Sequence, residues 1–63
     1  MSNVTKHPAD YSTEGLCKAV LLYRELLSKS SFDEMYLSML ETEVERRRQF
    51  PFNAREIEQY LPS

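Results

Sequence analysis

Apolar side chains recur at three- and four-residue spacings along most of this chain, the period of amphipathic helices rather than of strands. In the first such stretch Leu16, Ala19, Val20, Tyr23, Leu26 and Leu27 fall within an arc of roughly 120° at ~100° per residue, with Leu22 at its margin. Glu14, Lys18, Glu25 and Lys29 fall opposite, as two i,i+4 pairs with the acid first. The pattern predicts a helix over about 13–28, capped by Asp10 or Ser12. A second stretch opens with Ser31-Phe32-Asp33-Glu34, the spacing of a capping box, and continues with Met35, Tyr36, Met39, Leu40 and Val44 on one face. It closes on Arg46, Arg47 and Arg48, cations where the helix dipole favours them, with Pro51 beyond as a stop. The prediction is a helix over about 32–49, the axis on which the rest leans. A second capping box, Asn53-x-x-Glu56, with Phe52 and Ile57 as a hydrophobic staple, predicts a short helix over about 54–61. Two turns do not persist alone, so tertiary contact must hold it.

The link Ser28-Lys29-Ser30-Ser31 is short enough to make the first two helices antiparallel neighbours. The expected fold is therefore all-α: an antiparallel helical hairpin with a short third helix docked at its open end, Phe50 and Phe52 filling the space there. The expected core is Leu16, Val20, Tyr23 and Leu27 against Met35, Tyr36, Met39, Leu40 and Val44. Residues 1–10 lack any periodic pattern and read as a flexible segment or a strap across the helices, leaving 11–63 as one small domain.

Two features sit awkwardly on these faces. Cys17 and Leu21 stand four apart, outside the main apolar arc. They are either a small exposed apolar pair or a contact face for another chain. Glu43 and Arg47 lie near the middle of the second helix's apolar face. Enclosed, they would need tight pairing to offset desolvation, so the expectation is a splayed hairpin. They would then stand at its rim, in an inter-subunit salt bridge, or at a ligand site.

Composition narrows the functional classes. Sixty-three residues form one domain with a small core, and a single cysteine excludes an internal disulfide. Helix packing or self-association is left as the stabiliser, which points to a homodimer. No apolar run approaches the ~20 residues needed to cross a bilayer, and the polar start lacks a signal-peptide core, so the reading is a soluble cytosolic protein with no membrane partner. A net charge of −2, ten acids against eight bases, argues against a nucleic-acid coat.

Candidate chemistry is sparse. The lone histidine, His7, stands in the N-terminal segment, and Cys17 has no evident base. No nucleophile–base pair, phosphate loop or metal-ligand spacing can be assembled, so neither enzyme activity nor a cofactor or metal is implied. Nucleic-acid binding is possible but not favoured. Arg46, Arg47 and Arg48, with Arg55, are its candidates, yet three consecutive helical arginines point three ways, and Glu41, Glu43 and Glu45 would repel the same phosphates. Protein–protein binding remains, with Cys17 and Leu21 as the leading interface residues and Glu43 and Arg47 behind them.

Leu22-Tyr23-Arg24-Glu25-Leu26-Leu27, a serine link, then Tyr36-Leu37-Ser38-Met39-Leu40 and a charged Glu/Arg tail form a layout that resembles the small early proteins of lambdoid phages. Those encoded between the exonuclease and excisionase genes are compact helical chains of this length. The resemblance covers most of the chain. It implies a non-essential accessory factor, acting in the host cytoplasm on a host or phage protein to bias the lysis–lysogeny decision, prophage induction or the host cell cycle. It brings no site motif, so no functional residue comes with it.

Overall fold

The computed structural model describes residues 6–62, and among these there are helices and no strands. A 3-10 turn (Pro8–Asp10) precedes three helices, α1 (Thr13–Arg24), α2 (Ser31–Arg48) and α3 (Pro51–Tyr60). The fold is all-α. Residues 1–5, half of the segment expected to be flexible, lie outside the described residues.

Helix α1 begins where the Ser12 hydroxyl accepts the Gly15 N–H at 3.1 Å, one of the two caps expected. It ends four residues earlier than its periodicity predicts. Helix α2 starts from Ser30, which has an extended backbone and whose hydroxyl accepts the Asp33 N–H, while the Asp33 carboxylate accepts the Ser30 N–H, both at 3.2 Å. The capping box is thus Ser30/Asp33, one residue ahead of the Ser31/Glu34 pair predicted. Had α1 run to Ser28, Lys29 and Ser30 alone would have spanned the ~8–10 Å between packed helix axes. Residues 25–30 unwind instead. Lys29, expected to pair with Glu25, donates its Nζ to the carbonyls of Leu26 at 3.2 Å and Arg24 at 3.5 Å, satisfying groups the helix end leaves open.

The third helix also starts early. Pro51 occupies its first turn, and Phe50 before it is extended (φ −105°, ψ 121°), as a residue preceding proline prefers. That junction outcompetes the predicted Asn53 cap: Asn53 lies inside α3, and no side chain caps the helix. The predicted staple is absent, because Phe52 is 83% exposed while Ile57 is fully buried. Phe50 is exposed as well and does not fill the open end.

The core is Leu16, Cys17 and Val20 of α1, Tyr36, Leu40 and Val44 of α2, and Ile57 and Leu61 at the C-terminal end. Helix α3 lies against both α1 and α2, on the side of α1 that carries Cys17. The Arg48 and Glu56 charges act on the Cys17 thiol, which burial pushes above its ordinary pKa. Of the expected core, Leu27, Met35 and Met39 are exposed, and so is Leu26. The second helix carries two adjacent apolar stripes; Tyr36, Leu40 and Val44 face inward, with Leu37 partly buried beside them.

Candidate functional site

The predicted site residues do not come together as one surface. Cys17, expected on an exposed face, is 0% exposed, so it cannot form a docking face with Leu21. Leu21 itself is only marginally exposed. Docking of α3 is the reason: it covers the flank of α1 that periodicity left unassigned.

Glu43 and Arg47 are each 9% exposed, which removes the expected rim position. Their pairing is intramolecular, not between subunits. Glu43 Oε2 accepts from Arg47 Nε at 2.8 Å and from Arg46 Nη2 at 2.6 Å, and Oε1 accepts from Arg46 Nε at 3.0 Å. Bonds from Arg46, then from Arg47, outweigh burial and hold the Glu43 carboxyl at about 2. The rest of the Arg47 guanidinium leaves its own helix. It donates to the Tyr11 carbonyl at 2.8 Å, the Ala9 carbonyl at 3.3 Å and Thr13 Oγ1 at 3.3 Å. One side chain therefore pins α2 to the N-terminal strap and to the start of α1. Charge-assisted bonds at both ends offset the desolvation that made burial look unfavourable in the sequence.

The strap has a second anchor. Tyr36 Oη donates to the Lys6 carbonyl and lies 3.1 Å from Tyr11 Oη, while the Lys6 ammonium stands 5.0 Å from the centre of the Tyr11 ring. Burial, then the bond to Tyr11, pushes the Tyr36 hydroxyl well above the ordinary tyrosine range. Pro8 is buried beneath this lattice, and His7 stays exposed with Nδ1 accepting the Ala9 N–H. His7 serves as a turn cap.

The arginine cluster does not form a basic face. Arg46 and Arg47 are held by Glu43. Arg48 donates to Glu58 Oε2 and to the Leu61 carbonyl, both at 3.2 Å, and its buried Nε lies 3.4 Å from Glu45 Oε2 without a hydrogen bond. It ties the end of α2 to α3. Arg55 stands apart on α3, exposed beside a shallow groove of Pro51, Phe52, Glu56 and Gln59. Among the described residues no cluster of His, Cys, Asp or Glu has the arrangement of a metal site, and no helix is long and apolar enough to cross a membrane.

Besides Phe50 and Phe52, the apolar side chains that stand open lie toward the turn end of the hairpin. Leu22, Leu27, Phe32 and Met35 are exposed there, Leu27 completely, with Leu26 marginally exposed and Met39 exposed at the middle of α2. Phe32 stacks on Tyr36 with ring centroids 6.3 Å apart, and Tyr36 meets Tyr23 at 5.2 Å, so the open surface continues directly from the core. Sequence reasoning assigned most of these residues to the interior. One signal could have marked them: Ser31, Phe32, Met35, Ser38, Met39 and Thr42 fall within an arc of roughly 120° of α2 that holds no charge across three turns. All six are exposed. The chain matches no protein-family model, and neither a curated relative nor a solved structure is similar to it.

Proposed function

We propose that this chain is a non-catalytic protein-interaction module that presents the turn end of its hairpin to a protein partner. The observation that carries this reading is the exposed apolar set Leu22, Leu26, Leu27, Phe32, Met35 and Met39. Scattered surface leucines are ordinary, but six large apolar side chains toward one end of so small a chain form the kind of patch that marks an interface. Methionine adds adaptable contact there, and the phenylalanine is braced by the tyrosines beneath it. In the setting that the layout's resemblance implies, the module is a phage or prophage regulatory accessory, acting in the host cytoplasm on phage development or host physiology. Nucleic-acid binding through Arg46, Arg47 and Arg48 is disfavoured because all three are engaged by carboxylates of their own chain.

A photo-reactive residue at Leu27 should cross-link a specific protein in cells, and the same residue at Gln59, exposed on α3, should not. The purified partner should bind the parent chain and lose at least tenfold in affinity to a Leu22→Glu/Leu27→Glu variant. In a bacterial lysogen expressing the chain, that variant should also lose any effect on prophage induction. Equal cross-linking from Leu27 and Gln59, or unchanged affinity in the variant, would overturn the proposal.

A further inference from the structure

The strap before α1 is seated on α2 as a bound peptide is seated on a receptor. Its backbone is extended at His7 (φ −63°, ψ 137°), makes one 3-10 turn over Pro8–Asp10, and is extended again at Tyr11 (φ −78°, ψ 146°). Helix α2 holds it mainly by its main-chain oxygens. The Tyr36 hydroxyl donates to the Lys6 carbonyl, and the Arg47 guanidinium donates to the carbonyls of Ala9 and Tyr11. Of the strap's own side chains, Pro8 is buried and Tyr11 Oη meets Tyr36 Oη. Bonds to main-chain oxygens are blind to side-chain identity. The seat therefore reads a shape, a proline that opens a tight turn with an aromatic hydroxyl three residues on.

The seat is also larger than the strap. A cavity of about 260 Å³ lies beside Pro8, lined by His7, Ser38, Met39, Thr42 and Glu43. That is below the ~300–1,000 Å³ of small-molecule sites, room for a side chain rather than for a free ligand. His7, at its edge, is exposed and spends Nδ1 on the Ala9 N–H, so it does not fill the space.

We propose that this seat binds a proline-turn segment of a partner protein, one with a large apolar side chain just before the proline, and that the strap is its built-in competitor. In the complex the incoming proline and carbonyls take the strap's places, and the apolar side chain enters the cavity against Met39. The tethered strap competes at an effective concentration on the order of millimolar, so only a segment that gains from the cavity displaces it. This goes beyond the interaction role proposed above, because it does not depend on Leu22 or Leu27.

Titration of synthetic peptides of residues 6–12 into the isotope-labelled full chain, followed by NMR, tests it. A peptide carrying His7→Phe should bind at least fivefold more tightly than the unsubstituted peptide, although it gives up the exposed turn cap. One carrying Pro8→Ala should bind at least tenfold more weakly. Amide shifts should centre on Ser38, Met39 and Thr42. Loosening the chain's own strap should help binding: the full chain with Pro8→Ala should take the His7→Phe peptide at least tenfold more tightly than the parent does, because more of it has an open seat. Should that chain lose its helical circular dichroism, Tyr11→Phe, which takes only a hydroxyl from the strap, gives the same comparison with a smaller gain. On the loosened chain Tyr36→Phe removes one donor and should weaken the peptide roughly two- to tenfold. Leu22→Glu/Leu27→Glu should bind the peptide as the parent does, which keeps this test separate from that of the turn end. The proposal is overturned by absence of binding to the loosened chain at millimolar peptide, by equal affinity for the His7→Phe and Pro8→Ala peptides, or by an affinity that loosening the strap leaves unchanged. A parent chain that dimerises, and that the unsubstituted peptide returns to monomer, would assign the seat to the strap of a second copy and overturn it as well.

Discussion

The two ends of the hairpin are built on opposite principles. At its open end polar pins hold the strap and α3 in place. Arg47 reaches the strap and α1, and Arg48 ties down α3 through Glu58 and the Leu61 carbonyl. At its turn end few such ties occur. Lys29 caps the end of α1, and beyond it Leu22, Leu27, Phe32 and Met35 stand in solvent. Burial at the open end is stabilised by groups that must be paired once enclosed. Exposure at the turn end leaves apolar surface free for another molecule. The lesson is that charge, not hydrophobicity, marks the closed half of this molecule.

Substitutions should separate the two ends sharply. Arg47→Ala strands the buried Glu43 carboxylate and releases the strap, so urea denaturation should report a loss of about 3 kcal/mol. Met35→Ala at the bare end should change the monomer's stability by under about 0.5 kcal/mol, because an exposed side chain leaves no cavity. Similar losses for both would mean that the contrast between the ends is wrong.

Acid should act on the closed end alone. The Glu43 carboxyl is lowered from an ordinary 4.5 to about 2. Its folded pKa lies below its unfolded one, so its contribution is fully present above about pH 4.5 and is lost as the pH falls towards 2. Because the Arg46 guanidinium is largely solvent-exposed, that contribution should be about 2 kcal/mol rather than the full value of the shift. Denaturant titrations across this range should show the loss in the parent and a flatter profile in Glu43→Gln. An equally steep profile in that variant would assign the acid sensitivity elsewhere.

The smallest expected effect concerns where α2 begins. Ser30→Ala removes the cap on the Asp33 N–H and should cost about 1 kcal/mol, while Ser31→Ala should cost a few tenths. Thermal denaturation of the two variants side by side decides it. The reverse order would restore the capping box that the sequence suggested, one residue later than the structure has it.

Much of this was legible in the residues, and the gaps have identifiable causes. Ser12 was among the expected caps of α1, and the helical stretch of α2 was foreseen to within a residue. The start of α3 was not, because two local signals competed. Asn53-x-x-Glu56 is a plausible cap, but Phe50-Pro51 fixes the backbone three residues earlier, and proline does so through covalent geometry rather than one hydrogen bond. The Glu43–Arg47 pair was recognised as anomalous from its place on an apolar face. Its partners were beyond reach, since the Ala9 and Tyr11 carbonyls stand 38 and 36 residues away in the chain.

The sequence by itself determined that the chain is helical, roughly where its helices run, and that no stretch of it spells a recognised catalytic motif. Those are local matters of period, caps and residue type. Tertiary structure alone decided which stripe of α2 faces inward. Tyr36, Leu40 and Val44 lie beside Phe32, Met35 and Met39 on the same helix, and a period of 3.6 residues admits either set. Helix α3 and the strap settle the choice. Once α3 covers Cys17 and Arg47 draws the strap across Tyr36, the enclosed volume is filled, and among the described residues none covers the neighbouring stripe.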